Sequence, residues 1–278
     1  MMKVSFFDRR VIENFLKITA IISTTLSLLV IFVDIPKECK NLYGGGFLVS
    51  LVLIYLGIWL WSNKLTKINV KIEESDVTIK VGDIFQEPDF KVIAFNEYFD
   101  TQVDNKVISE ISLNGTFIQT YLDITVAELD EHIAAYEFDQ DELVGTNEDR
   151  KQGKKQRYQL GSICIYKNYL LTALTKFDDS NKALITMPEY LEFLINFWDK
   201  VNRVYAQKNV ATPIFGSGIT RIQGHKNISD EDLLKIMLWT FRISEMRFKY
   251  PARLTIIIHK DKIDKINLLD IKSARNGI

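Results

Sequence analysis

The chain has 278 residues, 47% of them apolar and 26% charged, the composition of a folded protein of one or two domains and not of a disordered one. Its 35 basic and 36 acidic residues give a net charge of −1, which argues against a globally basic nucleic-acid binder. Two cysteines, Cys39 and Cys164, exclude a disulfide framework and a four-cysteine zinc site, and five prolines with thirteen glycines leave no room for a long flexible linker.

These averages conceal a division. No charged residue occurs from Ile18 to Val33 or from Asn41 to Asn63, and no comparable apolar run follows Lys64. Residues 1–63 hold six of the basic and four of the acidic residues, leaving 29 and 32 for the rest. A helix needs about 20 mostly apolar residues to cross a bilayer. The pattern predicts a membrane anchor over residues 1–63 with spans at about 18–35 and 43–62, then a soluble domain over 64–278. Tyr43, Trp59 and Trp61 lie toward the ends of the second span, where aromatic rings favour the interface. The competing readings are one span with an uncleaved interfacial helix, and a signal peptide; against the latter, the residues after the first run, Asp34-Ile35-Pro36-Lys37, form no small-x-small cleavage site. Lys3, Arg9, Arg10 and Lys17 precede the first span, and Lys64, Lys67 and Lys71 follow the second. The positive-inside rule therefore puts both termini in the cytoplasm, on the inner face of the cell membrane. Phe6, Phe7, Val11 and Phe15 suit one face of a short interfacial helix before the first span. Ser23, Thr24, Thr25 and Ser27 suit either helix–helix contact in the bilayer or bonds back to their own helix.

Downstream, strands and helices alternate. Ile68, Val70 and Ile72, then Val77, Ile79 and Val81, have the two-residue period of strands. Phe90–Phe95 reads as a buried strand, and Val107–Ile118 and Ile124–Ala135 as helical or mixed. Gly145–Arg157 is polar and charged, as expected of an exposed hairpin or loop. Tyr169–Leu174 reads as a strand. Met187–Val204 has helical spacing, with Tyr190, Leu191, Leu194, Ile195, Trp198 and Val201 on one side. Asn209–Phe215 reads as a strand ending in a glycine turn. Ser229 with Asp232 opens a helix expected to run to about Phe248, and Leu254–Ile258 is a β-branched strand. This alternation predicts an α/β/α three-layer domain with a mixed, largely parallel sheet, whose ligand crevice lies beyond the carboxyl ends of the strands.

The most informative stretch is Thr212-Pro213-Ile214-Phe215-Gly216-Ser217-Gly218-Ile219-Thr220-Arg221. Glycines allow successive backbone N–H groups to turn toward one point and make an anion nest, to which Ser217 and Thr220 add hydroxyls and Arg221 a charge. The same Gly-x-Gly also spells a tight turn. Upstream, Asp83 either accepts from the exocyclic amine of a base or caps a turn. Asn96 either meets a ribose or is a loop residue. His132, His225 and His259 have no metal-ligand spacing, no Gly-x-Ser-x-Gly elbow is present, and no Walker lysine follows the glycines.

Gly82-Asp83-Ile84, a strand, an Asn-bearing loop and a late strand ending Gly-Ser-Gly-Ile together resemble the macro domain, which binds ADP-ribose. The resemblance implies that Asp83 and Ile84 recognise adenine and that Asn96 lies near the distal ribose. It further implies that Gly216, Ser217, Gly218 and Ile219 wrap the diphosphate, with Thr220 and Arg221 beside them. Phe95–Thr101, Leu171–Phe177 and Pro213–Gly218 are similar to one branch, the macro-like effectors of Thoeris antiphage defence, which carry two membrane helices before the domain. That resemblance implies a partner Toll/interleukin-receptor-like (TIR) enzyme that makes an ADP-ribose-derived signal joined to histidine. It also implies ligand-driven homo-oligomer assembly and damage to the lipid bilayer. Beside it stand the expectations of no cofactor, no metal, no nucleic-acid partner and no catalysis. Glu97-Tyr98-Phe99-Asp100 replaces the glycine run that follows the motif in hydrolytic macro domains. This counts against ADP-ribosyl hydrolysis; the alternatives to the effector reading are a membrane-tethered ADP-ribosyl hydrolase and a non-signalling membrane scaffold. Glu97, Tyr98 and Asp100 are thereby expected near whatever group the distal ribose carries.

Overall fold

The computed structural model describes residues 3–33, 36–178, 180–218, 220–225, 227–244, 248–249 and 251–273, with the backbone alone at Arg221. It divides into two compact units. The first holds the described residues up to Ile68 together with 264–273, and the second holds residues 69–263.

In the first unit, α1 (Arg9–Val30) and α2 (Lys40–Lys64) are both long and apolar enough to cross a membrane. Asp8 caps α1 by accepting from the Arg10 amide at 2.8 Å. The expected first span extends to residues 34 and 35, which lie outside the described residues. Thr25 donates to the Ile21 carbonyl at 2.9 Å, the back-bonded alternative for that hydroxyl. At the other end of the pair, Trp59 Nε1 donates to the Val4 carbonyl at 3.1 Å, and Val4 with Val11 packs against Leu269. Arg10 pairs with Asp270, and Asn267 donates to Asp8 at 3.1 Å.

The sheet unit begins with β1 (Lys67–Ile72), β2 (Ser75–Val81) and β3 (Phe90–Asn96). A single turn, α3 (Leu113–Thr116), runs into a π-helical segment, Phe117–Tyr121, and α4 (Val126–Ala135) follows. The expected helix from Val107 thus starts only at Leu113, because Asp104 accepts from the amides of Lys106 and Val107 and holds them in a turn. Strands β4 (Leu143–Thr146) and β5 (Gln156–Tyr158) form an antiparallel hairpin. Next come β6 (Ile163–Tyr166), β7 (Tyr169–Phe177), β8 (Ala183–Thr186) and α5 (Met187–Val204). The remainder is β9 (Val210–Pro213), β10 (Arg221–Gln223), α6 (Asp230–Ile243), β11 (Leu254–Ile258) and α7 (Leu268–Ser273), the last belonging to the first unit.

The main sheet has nine strands in the order β1-β2-β11-β9-β3-β7-β8-β10, with β6 also paired to β7. The pairs β2–β11, β11–β9, β9–β3 and β3–β7 are all parallel, whereas β6 and β8 run antiparallel to β7. This is the mixed, largely parallel α/β sheet that the alternation predicts.

Capping and apolar periodicity account for α5. Thr186 and Glu189 form a reciprocal capping box, and Pro188 sits in the first turn. Tyr190, Phe193, Leu194, Phe197, Trp198 and Val201 are all fully buried, each worth about 1.5–3 kcal/mol of apolar transfer. Helix α6 starts on the predicted Ser229–Asp232 box but ends at Ile243, short of Phe248. Ser244 is extended there, its hydroxyl donates to the Phe241 carbonyl, and the Phe248 amide turns to Ser75 Oγ at 2.8 Å. A second cluster, built on Phe95, Phe99, Phe117 and Leu171, fills the space under α3 and α4.

Candidate functional site

Five neighbouring strands, β2, β11, β9, β3 and β7, point the same way, so their carboxyl ends open on one edge of the sheet. A cleft of about 1710 Å³ lies there. Asp83, Ile84, Asn96, Gly216, Ser217, Gly218 and Thr220 all line it. Residues more than 130 positions apart in sequence are thus brought to one crevice by parallel strand order alone.

The glycine turn is held from below. Phe215 is 1% exposed, its amide donates to the Met237 sulfur at 3.4 Å, and its carbonyl accepts from the Tyr190 hydroxyl at 2.9 Å. Gly216 has φ +78°, a left-handed conformation in which a Cβ is strained. A Cβ on Gly218 would meet nothing within 4 Å, so a ligand has free approach to that backbone. The nest is smaller than the sequence suggests. The Ser217 amide donates to the Ile214 carbonyl at 3.3 Å, which leaves the amides of Gly216 and Gly218 without a partner among the described residues. Thr220 is half-buried beside them. Arg221 opens β10 opposite Leu184, with no side-chain position described, and Ile219 lies outside the described residues.

Asp83 caps a turn, the second of its sequence readings, and also lines the cleft. One carboxylate oxygen accepts from the Phe85 amide at 3.0 Å and caps a short 3₁₀ turn, while the residue remains exposed at the cleft. Buried Ile84 lies next to it, and Phe85 stacks on Tyr121 with ring centroids 3.8 Å apart. This makes an apolar wall with one carboxylate at its edge, which suits a heterocyclic base bearing an amine.

Asn96 sits where β3 slips register against β7, Phe95 facing Ala173 and Asn96 facing Thr175. Its side chain is already engaged. Nδ2 donates to Asp100 at 2.8 Å, and Oδ1 accepts from the amides of Tyr98 and Asp100 at 3.0 and 3.3 Å.

Glu97 and Tyr98 are corrections, because neither lines the cleft. The Glu97 carboxylate is 7% exposed, accepts from the Phe177 amide at 3.3 Å and faces Arg157 at 3.6 Å. Burial raises its pKa, against the amide and the arginine. Tyr98 is 2% exposed, with its hydroxyl accepting from Asn147 and the Arg150 guanidinium over its ring. Asp100 is 1% exposed and paired with Arg150 at 2.6 Å. All three side chains are buried and engaged by neighbouring groups of the protein.

Sequence reasoning missed the basic residues that follow β11. His259, Lys260 and Lys262 line the cleft between the Asp83 and Gly216 ends, with Lys262 also 3.3 Å from Asp230. They are legible only once β11 is known to lie between β2 and β9. Among the described residues no three acidic, His or Cys side chains are grouped to hold a metal ion.

Two apolar helices before a largely parallel α/β domain, with a glycine turn and an exposed carboxylate on one cleft, define a macro-type domain preceded in the chain by a helical pair. Comparison with known proteins agrees. A family model described as the macro domain of the Thoeris protein ThsA matches residues 77–259. Thoeris protein ThsA of Bacillus amyloliquefaciens (strain Y2) is 37% identical over 278 residues, spanning 95% of this chain and 89% of that protein. The chain belongs to the Thoeris ThsA macro-domain family. Among solved structures, the Oceanobacillus iheyensis macrodomain with ADP is 11% identical over 74% of this chain and 95% of its own, with a TM-score of 0.46. The same macrodomain with MES bound is 12% identical over 74% of this chain and 95% of its own, at 0.45.

Proposed function

We propose that the protein is a membrane-anchored effector of antiphage defence, gated by an ADP-ribose-derived signal. The observation that carries this reading is the linear order of the cleft. Asp83 follows β2, Gly216–Gly218 follow β9 and Asn96 ends β3, in that sequence across the strand ends β2, β11, β9 and β3. Adenine lies against Ile84 and Phe85 with its amine on Asp83. The diphosphate takes the amides of Gly216 and Gly218, the Ser217 and Thr220 hydroxyls and the charge of Lys260. The second ribose lies toward Asn96 and Thr175, and a further group, histidine in this reading, extends toward Asn181 and Lys182.

The protein binds the signal and does not consume it. Asn96, the polar group nearest the second ribose, is engaged by its own turn, and no glycine run opens the backbone beside it. A TIR-domain enzyme supplies the signal. Helices α1 and α2 span the inner membrane, with the α/β domain in the cytoplasm. Ligand binding favours assembly of the domains, and the gathered helices then breach the bilayer. The shift in assembly equals the difference in ligand affinity between the free and assembled states.

Incubating the full-length protein in lipid nanodiscs with small-molecule extract from phage-infected cells tests the reading. Mass spectrometry is expected to identify a retained adenosine diphosphate carrying a second ribose. Retention of no adenine-containing compound would contradict it.

A further inference from the structure

The charged run Gly145–Arg157 is a hairpin, but one of its cations is sealed from water. The Arg150 side chain is 7% exposed and the Asp100 carboxylate opposite it 1%. The guanidinium donates to both carboxylate oxygens, at 2.6 and 3.1 Å, and to Asn181 Oδ1 at 2.8 Å. Its face lies over the Tyr98 ring, 3.8 Å from the centroid. The Lys154 amide closes on Asp100 at 2.7 Å. Gly153 makes that closure feasible, with φ +89°, since a Cβ there would stand 2.6 Å from Asp100 Oδ1 and 2.7 Å from Arg150 Nη1.

Three chain segments therefore meet on one ion pair: the turn 96–100, the hairpin loop 147–155 and the loop bearing Asn181. Each also supplies the cleft with a lining residue, respectively Asn96, Gln152 and Asn181. Strand order says which end of the ligand they face. Gly216 follows β9, two strands from β2 and Asp83, or roughly 10 Å at ~4.8 Å per strand. Asn96 and Asn181 follow β3 and β7, on the opposite side of β9. A ligand with its base at Asp83 and its diphosphate at the glycine turn presents its remaining end to the segments that Arg150 gathers.

We infer that Arg150 is a positioning residue for that end of the cleft. By clamping the hairpin loop and Asn181 onto the Asn96–Asp100 turn, it shapes the wall that separates ligands carrying a second ribose from ligands that stop at the diphosphate. The inference rests on the ADP-ribose reading of the cleft. Asp100 only accepts, so the Asn96 Nδ2 is directed at it while Oδ1 is left for backbone amides. Without the guanidinium, a buried carboxylate would stand unpaired and would take up water or a proton, and the Asn96 amide would lose its fixed orientation. Lysine supplies the charge but not the planar fork.

The test is calorimetric titration of the full-length protein in nanodiscs with ADP and, separately, with ADP-ribose. The variants are R150K and the pair R150Q with D100N, which removes both charges and leaves no bare carboxylate to unfold the site. The paired variant is expected to keep its ADP affinity within about twofold and to lose at least about tenfold in ADP-ribose affinity, with R150K between it and the wild type. Equal losses for both ligands, or no loss for either, would overturn the inference. Hydrogen exchange of the unliganded protein is expected to speed up across 147–155 in the paired variant, and unchanged exchange would refute the clamp. A wild-type protein that binds neither ligand would refute the ADP-ribose reading instead, leaving exchange to decide the clamp alone.

Discussion

The Tyr190 hydroxyl donates to the Phe215 carbonyl at 2.9 Å, from a side chain with no exposed surface. Burial pushes the phenol well above its ordinary pKa, so it stays a donor across the physiological range. Helix α5 thus sets the height of the glycine turn from within the core. Tyr190→Phe leaves the carbonyl unsatisfied in an apolar setting and is expected to cost about 1–3 kcal/mol. Chemical denaturation of the purified protein checks this, and a change under about 0.5 kcal/mol, the scatter of ordinary surface substitutions, would contradict the anchoring role.

Gly216→Val places a β-branched side chain at φ +78°, and Ser217→Asp puts a negative charge beside the nest. Both variants are expected to abolish signal-dependent toxicity in cells while membrane fractionation shows normal insertion. Toxicity retained by a variant with no measurable ligand binding would refute gating by this cleft.

Gly115 tolerates no side chain, since a Cβ there would lie 2.3 Å from the Ser109 carbonyl oxygen. Its neighbours Asn114 and Thr116 line the cleft. Gly115→Ala is expected to cost about 1–3 kcal/mol by overpacking, with a lowered thermal midpoint. An unchanged midpoint would mean the turn 109–116 yields freely.

Burial opposes ionisation of Glu189, but hydrogen bonds from Lys176 and Thr186 outweigh it and hold the carboxyl down at about 2. A depressed carboxyl stabilises the fold above its unfolded value of 4.5, and that contribution fades as pH falls from about 4.5 toward about 2. Glu189→Gln should therefore be less stable than wild type at pH 7, with the difference shrinking below about pH 4.5 and closing as pH falls to about 2. A pH-independent difference in denaturation midpoint would rule out the linkage.

Much of this was legible in the sequence, and the parts that were not share a cause. The capping box and the i, i+3, i+4 apolar spacing of α5 are local signals, and the helix follows them from Met187 to Val204. The glycine turn and Asp83 carry their chemistry in their residue types, and both reach the cleft. Glu97, Tyr98 and Asp100 were expected at the ligand because charge beside a ribose motif reads as recognition. Their burial depends on Arg150 and Arg157, some 50 to 60 residues away. Arg150 itself lies in a run of charges, where no local pattern distinguishes a sealed guanidinium from a solvated one. The basic residues after β11 have the same character, since only strand order puts them between Asp83 and Gly216.

The central claim is that the amides of Gly216 and Gly218 bind the diphosphate. Selective ¹⁵N-glycine labelling of the full-length protein in nanodiscs tests it, with amide resonances followed during ADP-ribose titration. The resonances of Gly216 and Gly218 are expected to move in a saturable way, while those of Gly44, Gly45 and Gly46 in α2 stay fixed. Saturable binding that leaves Gly216 and Gly218 unmoved would contradict it.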